Sequence, residues 1–517
     1  MSEGKMVLVA NVKMLGTAQS MVECDVDFEG VNVAKILSVQ AMPRIANTEV
    51  LDGEIIFDGI AVLKAFVLCQ DGGIKTFTSQ HKFSGKLDNK DIVILAKIVP
   101  QAKCIDTVIS SVSEKGAKIT CSIESSMIGY VNSEVPINSE NQEDLEMKEK
   151  EIQTWAVNYN SNTEFETAGE ILISGEDVRV VLAENSCVIK NTSVGNGFGV
   201  VKGEIATRIL FTNGANNSAL QSASTITSFT QEIEIPNSTK DGMMQASVTL
   251  SEEKFKLLLS QEEKQAKVTL EFSLQLSVSE FELQTSTVIE DAYSISNETD
   301  LIQTTFNQSI PLGELFFEKK IEGNVVLDDS QPRINKMLAS SAITTGAIQT
   351  SISEGRVSLV GVAYANIIFE GETEEEVTEE TQIVAPNSVQ IEIPFEISEA
   401  CQNDANLIYV TASIDEIDIS VKKGRNVFFD AKIKAHIFMN KQETNSCITS
   451  IALSAPRKEK DGGLEIVFAK KGNTIWDYAK KLGVQSSLIL AQNPQITDPL
   501  DKDDKIVIFH RNEIAFE

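Results

Sequence analysis

The sequence predicts a multidomain, mainly β protein: three similar all-β, sandwich-like repeats followed by a small C-terminal βααβ domain. Three observations carry that expectation. Apolar and polar residues alternate through positions 1–455, with β-branched residues abundant and few stretches at helical spacing. One strand-like segment with a single internal glycine recurs three times, and a different periodicity takes over between Leu464 and Phe509.

Phe57-Asp-Gly59-Ile-Ala-Val-Leu-Lys-Ala-Phe-Val67 aligns with Val201-Lys-Gly203-Glu-Ile-Ala-Thr-Arg-Ile-Leu-Phe211 and with Leu359-Val-Gly361-Val-Ala-Tyr-Ala-Asn-Ile-Ile-Phe369. The glycines are 144 and 158 residues apart, which is the size of one domain. A glycine inside a strand marks a bulge or a close approach of another group, so the three should occupy equivalent places. A long alternating strand follows in each unit, at Ala117 to Met127, Ala266 to Val278 and Asn426 to Met439. Val33-Ala-Lys-Ile-Leu-Ser38 and Ile334-Asn-Lys-Met-Leu-Ala339 precede the first and third glycines, with Gly169-Glu-Ile-Leu172 as the counterpart before the second. Asn138 to Glu151, polar and acid-rich, and Ala292 to Thr305, rich in Ser, Asn and Thr, read as linkers or domain edges. Ser454 to Gly463 reads as a hinge. The expected division is residues 1–137, 138–298 and 299–456 for the repeats and 457–517 for hinge and terminal domain.

The net charge of −30 repels phosphate backbones and anionic headgroups, so nucleic acid is not expected as a partner, nor is direct membrane insertion. The charge is uneven: Leu464 to Phe509 balances six Lys against six acidic residues, while residues 1–463 carry −29. The start, Met1-Ser-Glu-Gly-Lys-Met-Val-Leu-Val, lacks a basic segment followed by an apolar core, and no run approaches a membrane span, so a cytoplasmic location is expected. Seven cysteines without a Cys-x-x-Cys pair fit small buried residues better than disulfides or zinc ligands.

No catalytic, metal or cofactor site is expected. His81, His436 and His510 stand far apart, and no nucleophile elbow is present. Gly195-Asn-Gly-Phe-Gly199 lacks the Lys-Ser/Thr and helix of a phosphate loop and reads as a hairpin turn. The acidic run Glu370, Glu372, Glu374, Glu375, Glu376, Glu379 and Glu380 lacks calcium-loop spacing and reads as a solvated tip.

The terminal domain is legible almost residue by residue. Glu465 to Ala469 is a short strand, and Gly472-Asn473-Thr474 is a turn ending in a hydroxyl cap. Ile475 to Leu482 is a helix stopped by Gly483, a second helix runs from about Ser486 to Asn493 before Pro494, and Lys505 to Phe509 is the last strand. Ile475, Tyr478, Ala479 and Leu482 share one helix face, and Trp476 lies just off it with its indole partly exposed. Leu488 on the second helix is a further candidate contact.

Gly472-Asn473-Thr474, Trp476, Gly483-Val484 and Asn493-Pro494 resemble the LysM pattern. The chain departs from it at Asn473, where Asp is usual, and at Asp503-Asp504, where Pro-Gly is usual. The resemblance implies binding through Gly472, Asn473, Thr474 and Ile475 in one loop, Asn493, Pro494, Gln495 and Ile496 in the other, and the exposed Trp476 and Leu488. The order of parts is similar to the spore-coat morphogenetic family of clostridia, in which three repeats of an all-β domain precede LysM. The glycine strands, the Lys-Ile-Leu-Ser and Lys-Met-Leu-Ala segments, and Asp291-Ala-Tyr-Ser294 carry that resemblance. It implies a non-enzymatic mother-cell scaffold at the forespore surface, with a SpoIVA-like morphogenetic ATPase and other coat proteins as partners. The alternative is peptidoglycan, the N-acetylglucosamine polymer that LysM domains usually bind.

Overall fold

The structure, a computed structural model, describes residues 5–137, 144–175, 177–213, 220–260, 265–372, 386–402, 405, 407–458 and 463–510. The first eighteen strands fall into three sets of six. The first set is β1 (Lys5–Asp27), β2 (Val33–Leu51), β3 (Glu54–Cys69), β4 (Ile74–Asp88), β5 (Lys97–Val112) and β6 (Gly116–Ile137). The second is β7 (Leu145–Ser174), β8 (Val178–Val194), β9 (Phe198–Asn213), β10 (Leu220–Glu234), β11 (Met243–Ser260) and β12 (Gln265–Ser294). The third is β13 (Asn297–Val326), β14 (Ile334–Ser353), β15 (Arg356–Gly371), β16 (Pro386–Ala400), β17 (Leu407–Lys422) and β18 (Asn426–Pro456).

Each set makes two three-stranded antiparallel sheets with one topology. The sixth strand lies between the first and fifth, and the third lies between the second and fourth. The two sheets enclose a core that follows from the alternation. In β12, Ala266, Val268, Leu270, Phe272, Leu274, Leu276 and Val278 are each at most 2% exposed. Burying such side chains contributes about 1.5–3 kcal/mol for each large one.

The glycines that mark the repeats hold one geometry. Gly59 pairs with Phe83, Gly203 with Phe229 and Gly361 with Phe395 on the fourth strand. On the other side they pair with Ile45, Ile189 and Ile348, and in each case the second strand shifts register next to that isoleucine. At Gly59 a Cβ would stand 2.2 Å from the Phe83 ring and 2.6 Å from the Arg44 carbonyl. At Gly203 the distances are 2.3 Å to Phe229 and 2.5 Å to the Val188 carbonyl. The phenyl ring occupies the space that a side chain would take.

The three units pack against one another. Phe66, Leu210 and Ile368, each seven residues after its glycine, meet in one buried cluster. Tyr130, Phe281 and Phe438, each on a sixth strand, meet in another with Trp155 and Tyr409, and the rings of Phe281 and Phe438 stack at 6.0 Å. Polar interactions between the units also start from the third strand of each. Five residues after their glycines, Lys64 pairs with Glu253 of the second unit, Arg208 lies in the field of Asp418 of the third, and Asn366 donates to Ser38 of the first at 3.1 Å. Lys434 of the third unit and Glu204 of the second form an ion pair, with the two residues 2% and 3% exposed.

Three sequence expectations are corrected. Gly169 to Leu172 lies in β7, whereas the counterpart of Val33 and Ile334 is Val178. Each of those three pairs with the residue ten positions after its glycine. The two segments read as linkers or domain edges do lie at the joints between units, but where described they are mostly strand, and positions 138–143 lie outside the described residues. β7 pairs with β12 from Leu145↔Ser294 to Ser174↔Gln265, and β13 continues from Asn297, so backbone pairing overrides the polar composition. Of the supposed hinge, Ser454 to Pro456 belongs to β18 and Arg457 is bonded to its surroundings, while residues 459–462 lie outside the described residues. In the acidic run, Glu370 is in β15 and positions 373–385 lie outside the described residues. The segment at Gly195 turns β8 into β9, with Gly195 N–H bonded to Phe198 O at 2.8 Å and Gly197 at φ +87°.

Among the described residues no helix is long and apolar enough to cross a membrane.

Candidate functional site: the C-terminal module and its seat

The C-terminal module is β19 (Gly463–Ala469), α1 (Ile475–Leu482), α2 (Ser486–Gln492) and β20 (Asp504–His510). Thr474 caps α1. Its hydroxyl accepts from the Asp477 N–H at 3.2 Å, and the Asp477 carboxylate accepts from the Thr474 N–H at 2.9 Å. Gly483 ends the helix at φ +64°, and a side chain there would meet Arg457 Nη1 at 3.0 Å and the Ile295 carbonyl at 3.2 Å. Ile475, Tyr478, Ala479 and Leu482 are buried with Ile489, Ile506 and Ile508.

Tyr293, near the end of β12, belongs to the same buried cluster as the module. Its hydroxyl donates to the Val484 carbonyl at 2.8 Å, and its ring meets the Trp476 indole edge-on at 4.9 Å. Asp291 accepts the Trp476 indole N–H at 2.8 Å and pairs with Lys480 at 2.5 Å. Burial pushes the Asp291 carboxyl up, but Lys480 and Trp476 outweigh it and hold the group below its ordinary value. Arg457 donates to the carbonyls of Asn297 and Lys480, both at 3.0 Å. The segment Asp291-Ala-Tyr-Ser294 is therefore the seat of the module. Trp476 is partly exposed, as expected, but its indole N–H and ring are engaged by this seat.

The two groove loops are largely self-satisfied. The Asn493 side chain, 1% exposed, donates to Ile489 O at 2.9 Å and Val507 O at 2.8 Å and accepts from Val507 N at 2.8 Å. It pins α2 to β20. Asn473 donates to the Tyr478 hydroxyl at 2.9 Å, and the Thr474 hydroxyl is used in the cap. Ile475 and Ile496 are buried, leaving Gly472, Asn473, Pro494 and Gln495 exposed at the loop tips. Leu488 is exposed, as expected.

A feature missed in the sequence lies on the other side of the module. The helices cover only one face of the β19–β20 pair, where Ala469, Ile506 and Ile508 are buried. The outer face carries the rungs Leu464–Phe509, Ile466–Val507 and Phe468–Lys505. Leu464 is 54% exposed, Ile466 50%, Phe468 73% and Phe509 60%. Lys505 lies over the Phe468 ring at 5.4 Å. The signal was available: Ile466-Val467-Phe468 is apolar at successive positions, and a two-stranded sheet with helices on one side buries only alternate ones. The face can hold an apolar partner surface and offers little to hydrogen-bond a sugar.

No protein-family model, no curated protein and no solved structure matches this chain.

Proposed function

We propose that the chain is a non-enzymatic scaffold that docks through its C-terminal module, read as a LysM domain, onto another protein. The outer face of β19–β20 carries this reading: four large apolar side chains, each at least half exposed, sit together on a small, electrically neutral domain. The Asn493 side chain and the Thr474 hydroxyl are engaged within the module, which favours a protein over a glycan. The three β units, packed as one body, supply the platform, and the seat at Asp291 and Tyr293 holds the module at its edge. The order of parts, similar to clostridial spore-coat morphogenetic proteins, suggests a SpoIVA-like ATPase as the partner and the forespore surface as the place.

The test sets two assays side by side with the full chain. Capture of a SpoIVA-like ATPase from the same genome is expected, with loss of capture in Phe468→Asp, and no co-sedimentation with purified peptidoglycan. Sedimentation with peptidoglycan that competes with chito-oligosaccharide, without capture of the ATPase, would reject the reading in favour of the glycan.

A further inference from the structure

We infer that the buried Glu280 carboxyl of β12 and the loop between β10 and β11 form a binding site for a hard divalent cation of the calcium class. Comparison of the three units isolates the place. The fifth strand of each begins opposite Tyr130, Phe281 or Asn440 of the sixth. The residue just before these is Gly129, Glu280 or Met439. Close by, the first strand bulges at Leu15, Asn158 or Leu312. In the first unit the Leu15 side chain covers Gly129, where a Cβ would stand 2.7 Å from its Cδ1, and in the third Met439 and Leu312 belong to the apolar core. Only the second unit puts a carboxyl and an amide in this place, so the shared fold does not require them.

Glu280 is 0% exposed. Its Oε2 accepts from Asn158 Nδ2 at 2.9 Å, while Oε1 is buried without a hydrogen-bond partner. The atoms around Oε1 are oxygens too. A Cβ on Gly242 would meet Glu280 Oε1 at 2.4 Å, the Phe281 carbonyl at 3.1 Å and the Thr239 carbonyl at 3.2 Å, so all three face the space that this glycine leaves open. The loop is held there by the β8–β9 turn: Ile235 N–H donates to Gly197 O at 3.0 Å, and Ser238 Oγ donates to Gly195 O at 2.9 Å. A carboxylate buried among carbonyl oxygens is unfavourable, and a cation coordinated by all of them offsets that. Calcium takes carboxylate and carbonyl oxygens at about 2.3–2.6 Å in irregular geometry and completes its shell with water, whereas magnesium demands a near-ideal octahedron. Among the described residues no three His, Cys, Asp or Glu side chains converge on a metal position, so here the backbone supplies the other protein ligands. No calcium-loop spacing therefore marks the site in the sequence.

An open recess of about 490 Å³ lies beside the carboxyl. Two of its lining residues adjoin Glu280: Tyr159 pairs with it across β7 and β12, and the Pro236 carbonyl accepts from the same Asn158 amide at 3.3 Å. The charged residues of the lining are Glu164, Glu232 and Glu234, without a basic side chain. Such a recess raises the local concentration of cations. Burial pushes the Glu280 carboxyl up, outweighing the Asn158 amide, and Glu282 adds to the rise, so the competitor for the site is a proton. Calcium binding releases that proton to solvent and leaves the carboxylate on the metal.

The probes are calcium chloride and terbium chloride with the full chain. Calorimetry should show calcium binding with Kd of about 0.1–1 mM, the range of sites with few carboxylates, and terbium in the same site should luminesce through Tyr159. Glu280→Gln keeps the side-chain shape and should weaken both ions about tenfold or more. Asn158→Leu with Glu280→Met copies the third unit, so it should fold and show the same loss. Glu232→Gln with Glu234→Gln should weaken binding more mildly. At saturating calcium the infrared C=O absorption of a protonated Glu280, identified by its loss in Glu280→Gln, should be gone. Absence of calcium binding, binding unchanged in both Glu280 variants, or a Glu280 C=O band that persists at saturating calcium would overturn the inference, the last two by assigning calcium to surface acids and a proton to Glu280.

Discussion

The Trp476 indole N–H and the Asp291 carboxylate, 185 residues apart in sequence, are joined by a 2.8 Å hydrogen bond that ties the C-terminal module to the long β7–β12 ribbon. Lys480 reaches the other oxygen of the same carboxylate. One side chain thus gathers two donors from one helix.

Removing that carboxylate should loosen the module without unfolding the β units. Asp291→Ala is expected to cost about 1–3 kcal/mol of docking, since two charge-assisted hydrogen bonds at a half-buried site are lost. Amide exchange in α1 and at Tyr293 should speed up together, and a carbodiimide crosslink between Lys480 and Asp291 should disappear. The pH dependence has a definite sign. The Asp291 carboxyl is held below its ordinary value of 3.8, so its contribution is complete above that pH and is lost as the pH falls through the lower folded value. Docking followed by exchange should therefore persist through the neutral range and fail only in strong acid.

The buried pair between units should matter more. Burial pushes the Glu204 carboxyl up, but Lys190 and Lys434 outweigh it and hold it below its ordinary value. Lys434→Ala leaves a nearly inaccessible carboxylate with only the half-exposed Lys190, and a loss of about 3 kcal/mol in chemical denaturation is expected. Lys434→Met combined with Glu204→Leu should recover most of it, because the desolvated charges are removed together.

At the glycines, Gly59→Ala and Gly203→Ala should each destabilise by about 1–3 kcal/mol, because a Cβ overlaps both a phenyl ring and a carbonyl oxygen of the fixed neighbouring strand. Thermal melts of the two variants should fall by similar amounts, reflecting one geometry. A neutral result at either position would contradict the shared close approach.

Asn493→Ala separates a structural pin from a ligand contact. Three hydrogen bonds to α2 and β20 are lost at a site that water does not reach, so a loss of about 2–3 kcal/mol in the module is expected. Isotope-edited spectra should show β20 broadening while the β units stay unchanged.

Local chemistry made much of this legible. The alternation gave β structure, Thr474 and Gly483 marked the ends of a helix whose buried face is the one its spacing requires, and the three glycine strands stand opposite Phe83, Phe229 and Phe395. Contacts decided at long range were not legible. Nothing near Phe66, Leu210 or Ile368 says that they meet one another, and nothing near Trp476 names Asp291. Asn493 carries a residue type that suits a sugar contact, and only the register of β20 shows that its hydrogen bonds are already used. Polar composition at 145–151 suggested a linker because the partner strand that satisfies its backbone lies about 140 residues away.

The most direct measurement is a titration of the full chain with a SpoIVA-like ATPase, comparing the unaltered protein with Ile466→Asp, Phe468→Asp and Leu488→Asp. Aspartate at Ile466 or Phe468 places a charge within the apolar outer face without touching the buried side of the sheet, and a loss of about thirtyfold or more in affinity is expected, with α1 still seated on Asp291. Leu488, on the opposite, helical side of the module, should matter much less. Unchanged affinity in Ile466→Asp and Phe468→Asp, with loss confined to Leu488→Asp or to changes at Pro494 and Gln495, would contradict docking through the β19–β20 face.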